Sequence, residues 1–259
     1  MAYISAYYTD IGPSREKNQD ALCIKAAEYN NNTFIMCAIC DGMGGLSDGE
    51  AASAYAIYAL SEWFDNVLTK LIKDNVSILE MRKKLDETIH MINDKLNAYS
   101  AAHNKMLGTT LTAIFTFPDR KKILTAHVGD TRAYKITDEK LTVITEDHSV
   151  VGEEVREGII TEEMANNDER QNQLTKCLGA DFTDISYDYI LQDYEQNTCY
   201  MLCSDGFRKK LSREEIKQNF CPAAVKDKET TENILKDLTK TVIERGESDN
   251  ITSLVVKIL

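Results

Sequence analysis

No run of about 18 apolar residues occurs in this chain of 259 residues, so no membrane-spanning helix is expected. The first ten residues, MAYISAYYTD, lack the basic stretch and following apolar stretch of a secretion signal. Basic residues are in deficit: 30 Lys and Arg stand against 42 Asp and Glu, a formal net charge of −12. A nucleic-acid interface built on a positive face is therefore not expected. Histidine is scarce, with four residues in all, and none stands beside the cysteine pairs Cys37/Cys40 and Cys199/Cys203. Those pairs fall inside the apolar runs FIMCAIC and CYMLC, which read as strands rather than turns, and this argues against a zinc site. With Cys23, Cys177 and Cys221 the cysteine count is seven, and an odd count in apolar runs fits free core thiols in a reducing cytoplasm. No internal repeat, low-complexity segment or linker interrupts the chain.

What is present is an ordinary globular balance, 43% hydrophobic and 28% charged residues, enough for a sizeable core in one domain spanning 1–259. Residues 3–8, 21–27 and 33–40 read as strands, the last two joined by the YNNN turn. The near-continuous FIMCAIC predicts a strand buried on both faces. Asp48 to about Ile72 has helical spacing, with Ser47 or Asp48 as N-cap. A second helix covers Ser77 to His103, with Ile78, Met81, Leu85, Ile89, Ile92 and Leu96 on one stripe. Strands follow at Thr109–Thr116, Lys122–Val128, Arg132–Ile136 and Leu141–Ile144. Residues 149–179 are charged and mixed and read as short helices and loops. Strands at 184–191 and 198–203, helices at 212–220 and 229–245, and a last strand at 250–258 complete the chain. Runs of strands and runs of helices, without strict alternation, argue an α+β fold with largely antiparallel sheets. Two sheets with helices outside would use all these pieces.

The chemistry lies in the aspartates. Asp41 follows FIMCAIC, Asp205 follows CYMLCS, Asp130 follows ILTAHVG, Asp249 opens the last strand and Asp20 precedes ALCIKAA. Each alone could be a turn former or cap. Five carboxylates at the ends of core strands would repel one another, and such a cluster persists when a cation neutralises it. Oxygen ligands without histidine or thiolate suit Mg²⁺ or Mn²⁺. Glycines 42 and 206 let the backbone turn sharply, so that a backbone carbonyl could also be a ligand. An acidic protein acting on phosphate would need such cations at its site.

Seven motifs stand in order: R-x-x-N-Q-D-A from Arg15 to Ala21, D-G-M-G-G at 41–45, L-G-T-T-L-T at 107–112, H-V-G-D-T-R-A-Y at 127–134, D-H-S at 147–149, L-C-S-D-G at 202–206 and D-N-I-T at 249–252. Together they resemble the metal-dependent serine/threonine protein phosphatases of the protein phosphatase 2C family, especially its bacterial-type members, over nearly the whole chain. The resemblance implies a sandwich of two antiparallel sheets flanked by helix pairs, with two Mg²⁺ or Mn²⁺ ions at one edge. It implies that Asp41 bridges both ions, that the Gly42 carbonyl binds one, and that Asp205 and Asp249 complete the first shell. Asp20 is the acidic residue left for the second ion, where many members have Glu at the position of Gln19. Asp130 corresponds to a residue that helps hold a third, looser ion. The ions would acidify a bridging water for direct in-line attack on phosphoserine or phosphothreonine, with no phosphoenzyme. Arg15 would clamp the phosphate. The segment 149–176 resembles the family's variable flap. Its Glu153, Glu154, Glu157, Glu162 and Glu163 either favour basic phosphopeptides or form a solvated face. Implied partners are phosphorylated proteins and, by analogy, a serine/threonine kinase acting in the opposite sense in cytoplasmic signalling, with the phosphatase a monomer.

Departures from the family pattern bear on the general acid. Eukaryotic members carry histidine where this chain has Met43, and many bacterial-type members carry one where it has Leu46. The proton for the leaving alkoxide would come from a metal-bound water or from His148, which otherwise is structural. His127 is expected packed in its strand, and His90 and His103 at the surface or core edge. Three competing readings are a non-catalytic regulator, a phosphatase of small metabolites and a structural Ca²⁺-binding domain. Retention of Asp41, Asp205 and Asp249 opposes the first, and the lack of a contiguous twelve-residue loop opposes the last.

Overall fold

The computed structural model describes residues 3–44, 48–179 and 186–259. The strands are β1 (Tyr3–Asp10), β2 (Asp20–Tyr29), β3 (Asn32–Gly44), β4 (Leu107–Thr109), β5 (Leu111–Phe117), β6 (Lys122–Val128), β7 (Arg132–Ile136), β8 (Leu141–Val143), β9 (Leu178–Gly179), β10 (Asp188–Asp193), β11 (Thr198–Cys203) and β12 (Ile251–Ile258). They form a five-stranded sheet, β1-β12-β11-β7-β8, and a seven-stranded sheet, β10-β6-β5-β3-β4-β9 with β2 also on β3. Every pairing among them is antiparallel.

The long helices are α1 (Gly49–Trp63), continued by a π-helical turn (Phe64–Leu68) and α2 (Thr69–Lys73), then α3 (Ile78–His103). Later come α4 (Val150–Arg156), α5 (Glu162–Asn166), α6 (Asp205–Arg208), α7 (Arg213–Phe220) and α8 (Lys228–Glu244). β3 shows why FIMCAIC is apolar throughout. Phe34, Met36, Ala38 and Cys40 pack with Trp63, Leu85 and Ile89 of the α1/α3 layer. Ile35, Cys37 and Ile39 pack with Tyr200, Leu202, Leu254 and Val256 of the facing sheet. On the far side, Met201, Cys203 and Val255 meet Phe220, Leu235 and Val242 of α7 and α8. The layers are thus helices, sheet, sheet, helices, as the order of elements suggested.

Ser77 caps α3 by accepting from the Glu80 N–H, and Ser212 with Glu215 forms a capping box on α7. At α1 the expected cap behaves differently. Asp48 takes the N-cap position, but its side chain makes no cap bond and pairs with Lys105 instead. Ser47, Gly45 and Leu46 lie outside the described residues. All seven cysteines are free thiols. Among the described residues, no helix is long and apolar enough to cross a membrane.

Several strand boundaries differ from the sequence reading, two of them at the site. The strand ending in FIMCAIC does not stop at Cys40 but runs to Gly44, exchanging β5 for β4 as its partner. The strand expected over Thr109–Thr116 is two strands, broken at Thr110. Both have one cause: Thr109 and Thr110 bond the backbone of Asp41, so β3 turns along β4 there. The strand expected over 184–191 begins at Asp188 and reaches Asp193, with 184 and 185 outside the described residues.

Candidate active site

Asp20 and Asp41 face each other across the β2–β3 pair, in register. The Asp41 backbone is held on three sides. Its N–H donates to Thr110 Oγ1 at 2.8 Å, and its carbonyl accepts from the Thr110 N–H at 2.9 Å and the Thr109 hydroxyl at 3.0 Å. These contacts explain the two threonines of L-G-T-T-L-T. Gly42 next donates its N–H to the Gln19 carbonyl at 3.0 Å. A Cβ there would meet the Gly49 carbonyl oxygen at 2.1 Å and that of Gln19 at 2.7 Å. Only glycine lets three backbone segments meet here. Gly42→Ala is therefore expected to lower stability by about 2 kcal/mol, as overpacking against rigid backbone does, and to displace the Asp41 carboxylate. A chemical denaturation midpoint within error of the parent would contradict this.

The other carboxylates arrive from different elements. β11 ends at Cys203, and after Ser204 the chain starts α6 with Asp205. The Ser204 hydroxyl donates to Asp20 Oδ2 at 2.9 Å and accepts from the Thr252 N–H at 3.0 Å. Lys209 Nζ lies 2.5 Å from Asp205 Oδ2 and 2.6 Å from Asn172 Oδ1. Asp249 precedes β12, and its Oδ2 accepts from Arg15 at 2.8 Å. Asn250 ties down the loop that carries Arg15. Its Oδ1 accepts from the Gln19 N–H, and its Nδ2 donates to the carbonyls of Ile11 and Lys17. Asp130 follows Gly129, whose φ of +108° sets the turn after β6, and its carbonyl accepts from Arg208 at 3.2 Å.

An open cleft of about 390 Å³ is lined by Arg15, Asp41, Gly42, Asp130, Asp205 and Asp249, with Met43, Asn172, Leu174 and Asn250. Six of the predicted site residues thus share one cavity. The seventh, Asp20, stands behind Asp41, half-buried against Ser204 and outside the cleft lining. Burial lifts the Asp20 carboxyl to about 7, with Asp205 and Asp249 adding repulsion against its bonds to Thr252 and Ser204. Burial also holds Asp41 well above the usual carboxylate range, and four neighbouring aspartates push it further. Asp130 rises to about 7 for the same reason, burial first and Asp205 next. Asp205 moves the other way: burial pushes it up, but Lys209 and Arg208 outweigh that and hold it low.

This donor set fits hard divalent cations. It is all oxygen, strongly acidic and desolvated, and two buried carboxylate atoms, Asp20 Oδ1 and Asp205 Oδ1, have no hydrogen-bond partner among the described residues. Among the described residues, no three acidic, imidazole or thiol groups already converge as a metal cage. The reason is visible in the contacts above. Asp20 is held by Ser204, Asp205 by Lys209 and Asp249 by Arg15, so internal donors hold the positions that cations would take.

Residues 13–242 match the family model described as protein phosphatase 2C. The chain belongs to the protein phosphatase 2C family. As a protein phosphatase of this family, it is 28% identical over 251 residues to the serine/threonine phosphatase stp of Listeria monocytogenes serotype 4b, covering 97% of this chain and 94% of that protein. The structure of the serine/threonine phosphatase Stp1 from Staphylococcus aureus superposes with a TM-score of 0.82 at 29% identity, covering 100% of this chain and 96% of that one. The catalytic domain of the phosphatase PstP, solved in complex with two manganese ions, matches with a TM-score of 0.73 at 27% identity, covering 99% of both chains.

Sequence reasoning passed over several residues of the phosphatase that organise this site. Asp147 is the chief one. It accepts from Arg132 at 2.8 and 2.9 Å and from Arg208 at 2.8 Å. Burial alone would raise its pKa, yet the two guanidiniums bring it down to about 2. Its motif, D-H-S, was visible, but a carboxylate paired with arginines remote in sequence cannot be told from a turn aspartate without the fold. Asn250 and Ser204 likewise stand inside quoted motifs, and their roles emerge only from contacts. His148 is structural: its Nδ1 accepts from the Gly129 N–H at 3.1 Å and its Nε2 meets Asp188 Oδ2 at 3.1 Å. His127 is packed as expected, and burial with His148 beside it lowers it to about 4.

Proposed function

We propose that this phosphatase hydrolyses phosphoserine and phosphothreonine in proteins, with two Mg²⁺ or Mn²⁺ ions held in the aspartate cleft. The observation that carries this reading is the convergence of Asp41, Asp130, Asp205 and Asp249 with Arg15 on one open cleft. Asp41, the Gly42 carbonyl, Asp205 and Asp249 would hold the first ion, Asp41 and Asp20 the second, and Asp130 a third, weaker one. When bound, the ions supply a nucleophilic water at neutral pH and neutralise charge on the phosphoryl group. The names of the Listeria and Staphylococcus relatives support the serine/threonine specificity, and the two manganese ions bound to PstP support the metal. Residues 1–259 form one catalytic domain in this reading, with 149–176 as a flap whose Asn172 and Leu174 wall the cleft.

The chain's own residues then have separable tasks. Arg15 gives one N–H to Asp249 and retains others for phosphate oxygens. Asn250 fixes the loop that aims it. No histidine lines the cleft among the described residues, and the Met43 thioether has no proton to give. His148 is committed at both ring nitrogens. The leaving alkoxide therefore takes its proton from water.

Phosphate release from a phosphothreonine peptide, measured with MnCl₂ and with EDTA, tests the function. Turnover that requires the metal is expected. Equal rates in both, or turnover of phosphorylated metabolites with none of the peptide, would overturn the reading. Arg15→Lys is expected to lower kcat/KM by roughly 10- to 100-fold, because an ammonium is a point charge without the planar fork that matches two phosphate oxygens while one N–H stays on Asp249. Unchanged kcat/KM would remove Arg15 from phosphate binding.

A further inference from the structure

A second cavity of about 290 Å³ lies beside the catalytic cleft, between α4 and α5 on one side and α6 on the other. Five cations line it, Arg132, Arg156, Arg208, Lys209 and Arg213, against three carboxylates. A positive basin is unexpected on a chain with net charge −12. Acidic residues of the 149–176 segment do not oppose it freely, since several are already committed. Glu162 is shared by Arg132 and Arg213, each at 2.7 Å. Glu154 pairs with Arg170 at 2.7 Å, and Glu153 accepts from Thr175 at 2.7 Å. Asp147 alone serves both Arg132 and Arg208. Three arginines thus share two carboxylates, and one positive charge is left over.

One donor in this group has no partner. Arg208 is 7% exposed, and its Nε makes no hydrogen bond among the described residues. That atom is sealed from the cavity, so the cations open to a ligand are the exposed guanidiniums of Arg156 and Arg213. One side chain links the basin to the reaction centre. Lys209 lines the basin and bonds both Asp205 and Asn172, which line the catalytic cleft. A peptide whose phosphorylated residue occupies the cleft would therefore run past Lys209 toward the basin.

We propose that this basin binds an anionic side chain of the substrate, a carboxylate or second phosphate close in sequence to the residue being dephosphorylated. The inference rests on the phosphatase reading and names its substrate class: acidic or multiply phosphorylated segments. It opposes one of the two readings of the acidic flap, a preference for basic peptides, the other being a solvated face. Arg156 and Arg213, the two exposed members, form the rim that first meets the incoming anion.

The test uses the purified chain with metal and a neutral phosphothreonine peptide. A glutamate, or a non-hydrolysable phosphoserine mimic, is walked along the flanking positions. At one register KM should fall by roughly three- to tenfold with kcat unchanged, the size of one charge-assisted contact. Arg156→Gln and Arg213→Gln should each erase that preference while leaving kcat/KM for the neutral peptide unchanged. Turnover without any preference for acidic positions overturns the inference and leaves the phosphatase reading standing. No turnover of any phosphopeptide overturns both. If both variants keep the preference, the basin is not its source. If they instead lower kcat/KM for the neutral peptide and the melting temperature together, the arginines are structural and the inference fails. Inorganic phosphate provides the last arm. If its inhibition weakens in Arg213→Gln while no peptide preference exists, the basin takes a free anion and the substrate reading is wrong.

Discussion

Asp41→Asn abolishes phosphatase activity, by roughly a thousandfold or more, and at the same time raises the melting temperature of the metal-free protein. The two effects share one cause. Asp41 sits opposite Asp20 and is repelled by Asp205, Asp130 and Asp249 while being half-buried and largely desolvated. Its charge is therefore unfavourable in the folded chain alone and useful only when cations occupy the cleft. Asparagine has the same shape, leaves the backbone bonds to Thr109 and Thr110 in place and removes that charge. Relief of repulsion should add on the order of 1–3 kcal/mol of stability in EDTA. Loss of the carboxylate that would bridge both ions removes the activation of water and the neutralisation of phosphate charge together. Peptide turnover and thermal unfolding in EDTA, measured on the same preparation, check both halves. A variant that loses activity by unfolding would show a lower melting temperature, and a variant that keeps its activity would remove Asp41 from the reaction.

The metal-free protein is also expected to lose stability as pH rises from about 4 to about 7, and saturating Mg²⁺ to reverse the trend. Asp20 and Asp130 carry folded-state values of about 7, against 3.8 in an unfolded chain. Below pH 3.8 both states hold the proton and the groups contribute nothing to the slope. Above it the unfolded chain releases protons that the folded chain retains, so folding is penalised increasingly until pH passes 7. A buried carboxylate shifted this far, as Asp130 is, is worth on the order of 4 kcal/mol, and the half-buried Asp20 less. The cluster loses less than the sum because its members share protons. His127 acts in the opposite direction. Its folded value of about 4 means a contribution present above 6.5 that is lost as pH falls toward 4. It offsets part of the carboxylate slope, and Asp20→Asn separates the two by flattening only the carboxylate part. Cations bind the ionised carboxylates and so should turn the decline into a rise. Unfolding free energies at pH 5 and pH 8, with EDTA and with Mg²⁺, provide the check. A metal-free chain equally stable at both values in parent and Asp20→Asn would mean the cluster is not strained.

Much of the molecule was legible before folding was considered. FIMCAIC could be read as doubly buried because a strand between a helix layer and a second sheet has no polar face, and β3 has none. The helix stripe from Ile78 to Leu96 was read correctly because a 3.6-residue period survives any tertiary arrangement. The aspartates stood out because glycine and apolar runs flank them. The extension of β3 past Asp41 was not legible. Nothing local distinguishes a strand that ends from one that changes partner, and the deciding bonds come from Thr109 and Thr110, almost 70 residues away. Asp48 does take the N-cap position, but no local signal showed that its carboxylate would pair with Lys105 and leave the helix N–H groups.

By itself, the sequence determined the layered α+β architecture, the family, and the carboxylates that meet at the cleft. The architecture follows from periodicity, the carboxylates from residue types at strand ends, and the family from the resemblance of seven motifs standing in order. Only the tertiary structure decided how charge is distributed among them. It set Asp20 behind Asp41 rather than in the cleft, committed both nitrogens of His148, and put two arginines on Asp147. It also turned an acidic flap into one wall of a cationic basin. Coulomb energy and desolvation depend on distances between residues far apart in the chain, and those distances do not exist until the sheets pack.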